Sequence, residues 1–164
     1  MSLYLTQLLE ILQKEVVLHQ ELLGTLREEA QSLGQVSGAA LLKLHSAKIM
    51  FSRKIASLEQ ERLIIVQNIA EEWQMEARQL SLRTIISMIP SEMALPLQHC
   101  FDQLKQLIEA IQSCADHNSR ISEARLGSVE SSLKFLQSMK KRQHTYSGAG
   151  IIQPATQSTS RISV

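Results

Sequence analysis

The sequence predicts an all-α protein: a long antiparallel helical hairpin with coiled-coil-like packing, a third long helix and a disordered C-terminal tail. Apolar residues recur at alternating steps of three and four over long stretches, which is the coiled-coil period. Aromatic residues make up 4% of the 164 residues, and there are only 6 Gly and 3 Pro. Long proline-free stretches with few aromatic residues favour helices over strands.

The first helix is predicted at about 3–33 and the second at about 39–76. Gly34 and Gly38 indicate the turn between them, because glycine commonly ends helices and forms turns. The first helix carries a seam of Leu5, Leu8, Leu12, Glu15, His19, Leu22, Leu26, Glu29 and Leu33. The second carries a seam of Leu41, Leu44, Lys48, Phe51, Ile55, Leu58, Arg62, Ile65 and Ile69.

Both seams are apolar apart from a few polar positions, and these match across the hairpin. An antiparallel register about the turn places Glu15 opposite Arg62. The same register places Glu29 opposite Lys48. Polar residues in a seam cost stability but fix register and orientation. The alternative is that the four side chains lie at the edge of the seam with their charged ends in water.

The second half of the chain is interrupted before it becomes helical again. A short helix is predicted at about 82–89, with Ser81 as its N-cap. Pro90 and Pro96 are expected to break the chain, because proline lacks an N–H and restricts the residue before it. A third long helix is predicted at about 97–142.

The C-terminal half of the third helix is amphipathic. Its apolar residues are Leu126, Val129, Leu133, Phe135, Leu136 and Met139. Such a face commonly recruits a partner helix, and the alternative is that it packs on the hairpin. We expect one helical domain at 1–143. The segment 144–164 is rich in Ser, Thr, Gly and Ala and has no acidic residue, so it is predicted to be a flexible tail.

Composition excludes several classes of function. Lys and Arg number 17 against 16 Asp and Glu, a net charge of +1, whereas nucleic-acid-coating proteins usually show a basic excess. The first residues lack the pattern of a signal peptide, and no stretch approaches the roughly 18 apolar residues of a membrane span. On one helix Cys100 and Cys114 would be about 21 Å apart, too far for a disulfide. We therefore expect a reduced, cytoplasmic protein that neither inserts into membranes nor binds nucleic acid.

The sequence offers no catalytic constellation, so we expect no enzyme and no cofactor. Phosphate-binding loops and the common hydrolase and metalloprotease motifs are absent. Cys114 and His117 share a helical face, but one helix cannot supply a complete metal site, so no metal is expected. His45 with Lys48 three residues later is similar to the phospho-accepting histidine of phosphotransfer bundles. Bulky residues follow that lysine, whereas the phosphotransfer reaction needs a small one.

Taken in order, these features resemble the FlgN family, the flagellar type III export chaperones. The hairpin carries the family's pattern of Glu, Leu, Lys, Leu-Glu and Arg at Glu29, Leu44, Lys48, Leu58, Glu59 and Arg62. The stretch 111–136 is similar to the family's third helix, with Asn118 at a recurrent Asn position. Ala115 departs from the pattern, because a second Asn often precedes the first by three residues.

The segment after the third helix is also similar to the family's Tyr-Gly-Ala-Asp-Gly tail. Here it reads Tyr146-Ser147-Gly148-Ala149-Gly150. Ser147 replaces the usual Gly, and Ala149 displaces the acidic residue. The last five residues, 160–164, resemble the basic-aliphatic end of some family members.

The resemblance implies a cytoplasmic chaperone whose clients are hook–filament junction proteins of the FlgK and FlgL kind. It would hold their C-terminal helical segments before secretion. We expect client contact at Leu126, Val129, Leu133, Leu136 and Met139. By analogy with the family, the tail at Tyr146 and Gly150 would dock to the export apparatus. Two alternatives remain open: a coiled-coil adaptor unrelated to flagella, and a phosphotransfer bundle using His45. The sequence also leaves open whether the chain is a monomer or a homodimer.

Overall fold

The computed structural model describes residues 3–34 and 38–145, with side chains for 3–34 and 38–139. Within these ranges all regular structure is helical, which confirms the predicted all-α class. The elements in chain order are α1 (Leu3–Gly34), α2 (Gly38–Glu72), a 3₁₀ turn (Ala77–Gln79), α3 (Leu82–Met88) and α4 (Ser91–Thr145).

The helices α1 and α2 form an antiparallel hairpin, and α1 packs mainly against α2. Leu8 and Leu12 of α1 and Ile69 of α2 are fully buried. Full burial of such a side chain stabilises the fold by about 2 kcal/mol. The apolar seams predicted from the 3/4 spacing are therefore the surfaces along which these two helices meet.

The main hydrophobic core lies at the end of the hairpin opposite the turn, where α1, α2, α3 and the start of α4 come together. Its buried members are Leu5, Leu8, Leu12, Val16, Ile69, Ala70, Leu80, Ile85, Leu97, Cys100 and Leu104. Ser81 caps α3, as predicted: its side chain accepts a hydrogen bond from the backbone N–H of Thr84 at 3.1 Å. The cap fixes where α3 starts and so holds Ile85 in the core.

Helix α2 ends at Glu72, four residues earlier than the sequence suggests. Gln74 adopts a left-handed conformation with φ of 54°. The backbone N–H of Met75 donates to the carbonyl of Ala70 at 2.9 Å, and that of Gln74 donates to Glu71 at 3.2 Å. These two bonds form a Schellman motif, which satisfies the last carbonyls of the helix. The ending was not predicted because glycine, the usual residue at this position, is absent.

Helix α4 begins at Ser91, whereas the sequence predicts a start at about 97 after two proline breaks. Pro90 immediately precedes the helix, and its carbonyl accepts hydrogen bonds from the N–H groups of Met93 and Ala94, both at 3.0 Å. Pro96 lies inside the helix. Its missing N–H leaves the carbonyl of Glu92 without that helical donor, but Glu92 is exposed and water can take the donor's place.

The chain divides into two compact units, Met1–Ile121 and Ser122–Val164, and the division falls inside α4. One helical domain at 1–143 with a tail at 144–164 stays a prediction. The first unit contains the hairpin, α3 and the hydrophobic core. In the second unit the side chains of residues 122–139 are all exposed.

Candidate functional site

One seam ion pair joins Glu15 of α1 to Arg62 of α2. The Nε–H of Arg62 donates to Oε1 of Glu15 at 3.0 Å. Glu15 is nearly completely buried, with 4% of its side chain exposed, whereas Arg62 is 31% exposed. The two residues also line a cleft whose apolar walls include Leu12 and Phe101. The carboxylate is thus held away from water, with its partner reaching it from the edge of the seam.

Burial of Glu15 outweighs the attraction of its partner. Desolvation raises the pKa of the Glu15 carboxyl above its ordinary value of 4.5, and the charge and hydrogen bond of Arg62 oppose this rise. His19, one turn along α1, is also buried, and its Nδ1–H donates to the backbone carbonyl of Glu15 at 2.7 Å. This end of the seam therefore carries an energetic cost and is suited to specifying register.

The second seam pair is part of a contact among three helices. The ammonium group of Lys48 on α2 donates to Oε1 of Glu29 on α1 at 2.5 Å. The other carboxylate oxygen, Oε2, accepts a hydrogen bond from Nδ2 of Asn118 on α4 at 2.8 Å. Asn118 also donates to the backbone carbonyl of Leu26 at 2.8 Å and is 4% exposed. We call Glu29, Lys48 and Asn118 the polar node.

Both ion pairs of the antiparallel register are thus present in the structure. The alternative, in which all four charged ends lie in water, does not describe Glu15. The sequence analysis did not predict the contacts of Asn118. Asn118 was noted only through the family resemblance, as a recurrent Asn of the third helix, and that resemblance does not identify its hydrogen-bond partners.

The predicted client-binding residues share an exposed face of α4, which we call the α4 face. Leu126, Val129, Leu133, Leu136 and Met139 follow one another at steps of three and four and are 48–63% exposed. Phe135, also noted in the sequence, is exposed; it points away from Leu133 but lies beside Met139, four residues further along the helix. Five large apolar side chains on one side of a helix form the kind of surface that a partner helix covers.

The other residues singled out in the sequence do not assemble into a site. His45 is exposed on α2. Cys100 is buried, which raises the pKa of its thiol, and Cys114 is half-buried; both are free thiols. In the part of the chain that the structure describes, no three His, Cys, Asp or Glu side chains come together as metal ligands. Tyr146 and Gly150, predicted to dock to the export apparatus, lie outside the described residues.

The hairpin, its polar node and the exposed α4 face define an all-helical protein whose described residues include an uncovered apolar surface. The chain belongs to the FlgN family, whose model, described as FlgN protein, matches residues 1–153. This is a family of flagellar export chaperones and not of enzymes. Comparison with curated proteins and with solved structures gave no match. Over the described residues, no helix is both long and apolar enough to cross a membrane.

Proposed function

We propose that the chain is a cytoplasmic, non-enzymatic chaperone for hook–filament junction proteins of the FlgK and FlgL kind. It binds their C-terminal helical segments, prevents premature assembly and delivers them to the flagellar type III export apparatus. Membership of the FlgN family supports the export role over a coiled-coil adaptor unrelated to flagella. The observation that carries the proposed client contact is the exposed α4 face.

The physical reason is that the α4 face and its client both expose apolar side chains to water, and each can cover the other. A segment that packs only in the assembled filament exposes an apolar helix face in the cytosol. Each large apolar side chain of the α4 face is already about half covered, so completing its burial contributes about 1 kcal/mol before the cost of ordering is subtracted. Five such residues therefore favour a reversible complex, which is what release at the export gate requires.

The direct test is to co-express the chain with the C-terminal segment of a junction protein and measure the mass of the complex by size exclusion with light scattering. Leu133→Asp combined with Leu136→Asp places two charges in the centre of the α4 face. Both residues are exposed, so the fold should be retained. We expect the wild-type chain to form the complex and this variant to lose it.

The matched control is Ser131→Asp combined with Ser138→Asp. These serines are exposed on the same helix but lie on the side opposite Leu133. The control adds the same charge to α4 and should retain the complex. If both double variants lose the complex, the added charge on α4, and not the α4 face, is the cause of the lost client binding. Absence of a complex with the wild-type chain would contradict the proposed client.

The second part of the proposal assigns docking at the export apparatus to Tyr146 and Gly150. A tyrosine offers apolar area and a hydroxyl group at a low entropic cost. Tyr146→Ala should leave client binding intact and reduce secretion of the junction proteins. Unchanged secretion would contradict the assignment, whereas loss of client binding would place Tyr146 in the client surface.

A further inference from the structure

One side of α2 carries nine residues whose spacing is the same in both directions from Ser57. They follow one another at steps of three and four, so they form a continuous stripe along the helix. Asn68 is half-buried and the others are exposed. These residues, which we call the α2 stripe, are Lys43, Ser46, Met50, Arg53, Ser57, Glu61, Ile64, Asn68 and Glu71.

The charges in the α2 stripe are self-complementary. Arg53 and Glu61 lie at equal distances before and after Ser57. Lys43 and Glu71 are likewise equidistant from it, near the two ends of the helix. If two α2 helices pack antiparallel about a twofold axis at Ser57, each of these cations faces an anion of the other copy. A twofold contact repeats every pair, so the arrangement contains four such ion pairs.

The uncharged residues of the α2 stripe are also paired with similar residues by the twofold axis at Ser57. Met50 and Ile64 are equidistant from Ser57, and both are large apolar residues that stand exposed, 44% and 59% respectively. Ser46 and Asn68 form a polar pair further out. On the axis itself Ser57 faces its own copy, and a small residue there allows two helices to approach closely. Each position of the stripe from Lys43 to Glu71 therefore has a suitable partner.

The surface along the α2 stripe carries shallow, open hollows on which a second helix could rest. Three hollows follow one another along it, and seven of the nine stripe residues line them. The central hollow, at Ser57, has a volume of about 630 Å³ and is also lined by Val17 and Leu18 of α1. A second helix laid on α2 would thus contact both α1 and α2 at the central hollow and at the hollow beside Ile64, and α2 alone at the hollow beside Met50.

We propose that the α2 stripe is the contact between two copies of this chain, related by a twofold axis at Ser57. A second copy is the occupant that the stripe fits, because a foreign helix would not require the same complementarity in both directions. The contact extends about 42 Å along the helix. Its core is small and its ion pairs are on the surface, so the dimer is reversible and weakens as salt rises. The proposal does not depend on the identity of the client.

The test is sedimentation of the full chain over a range of concentrations at low and high salt. The wild-type chain should dimerise, more strongly at low salt. Arg53→Glu or Glu61→Arg alone places like charges opposite each other at both symmetry-related contacts of the dimer. Each single change should therefore raise the dimer dissociation constant at least about tenfold. The two changes combined restore opposite charges and should restore the dimer. Arg83→Glu, at an exposed position of α3, is the charge-matched control and should change nothing.

A cross-link tests the position of the axis in a chain whose native thiols are removed by Cys100→Ala and Cys114→Ser, with helicity checked by circular dichroism. Ser57→Cys should form a disulfide-linked dimer on oxidation. Ser52→Cys, exposed on another side of α2, should not. A monomer at every concentration, or a dimer that tolerates both single charge reversals, would overturn the proposal. A monomer in which Arg53→Glu abolishes client binding would overturn it too, and would assign the face to the client.

Discussion

Replacing Arg62 with alanine should destabilise the chain by about 2 kcal/mol. The change removes the cation beside Glu15, whose side chain is only 4% exposed, and leaves its carboxylate with an uncompensated cost of burial. Breaking a fully buried pair in this way costs about 3–5 kcal/mol. Arg62 is 31% exposed, so water screens part of the interaction and we take a value below that range.

Glu15→Gln should cost less than Arg62→Ala, within about 1 kcal/mol of the wild type. The glutamine amide oxygen can still accept the hydrogen bond from Nε of Arg62, and it carries no charge to desolvate. Combining Glu15→Gln with Arg62→Ala should therefore recover part of the stability that Arg62→Ala loses. Urea unfolding followed by circular dichroism gives the free energy of unfolding for all four chains.

The pH dependence provides a second test of the same reasoning. Burial raises the pKa of Glu15 above 4.5, so the folded chain binds this proton more tightly than the unfolded chain. Its stabilising contribution is thus fully present below pH 4.5 and is lost as pH rises through the raised pKa. The wild type should gain stability relative to Glu15→Gln as pH falls from neutrality. Two results would contradict this reasoning. One is a wild type that loses stability relative to Glu15→Gln as pH falls, and the other is an Arg62→Ala variant that is at least as stable as Glu15→Gln.

Two further predictions concern the rest of the first unit. Asn118→Ala removes two hydrogen bonds at 2.8 Å, one of them to the carboxylate of Glu29, and should lower the free energy of unfolding by about 2–3 kcal/mol. Asn118→Asp should cost more, because it places a second carboxylate beside Glu29; equal losses by urea unfolding would contradict this. Gln74→Gly should raise the thermal midpoint by relieving about 1 kcal/mol of left-handed backbone strain, and a lower midpoint would contradict it.

The hairpin could be predicted from the sequence because the residue pattern that specifies it is local and periodic. Steps of three and four placed the apolar seams, and the glycines at 34 and 38 indicated the turn. The matched charges supplied the register, since Glu15 and Arg62 face each other only in the antiparallel arrangement. Their role in setting that register stays a prediction, which the Glu15 and Arg62 variants begin to test.

What the sequence did not predict depends on contacts between distant segments or on exceptions to local rules. Pro96 suggested a break, but α4 runs through it because the lost hydrogen bond falls in an exposed first turn. The end of α2 was missed because Gln74 occupies a position where glycine is usual. Asn118 was recognised only by resemblance, since the packing of α4 on Leu26 and Glu29 of α1 cannot be derived from amphipathicity alone.

Hydrogen exchange of the full chain, with and without the C-terminal segment of a junction protein, tests whether the α4 face is the client contact. Exposed helix faces that carry few tertiary contacts open readily, so exchange at 122–139 should be fast in the free chain. We expect the client to slow exchange there and to leave exchange in α1 and α2 unchanged. Protection confined to the hairpin, with none at 122–139, would contradict it.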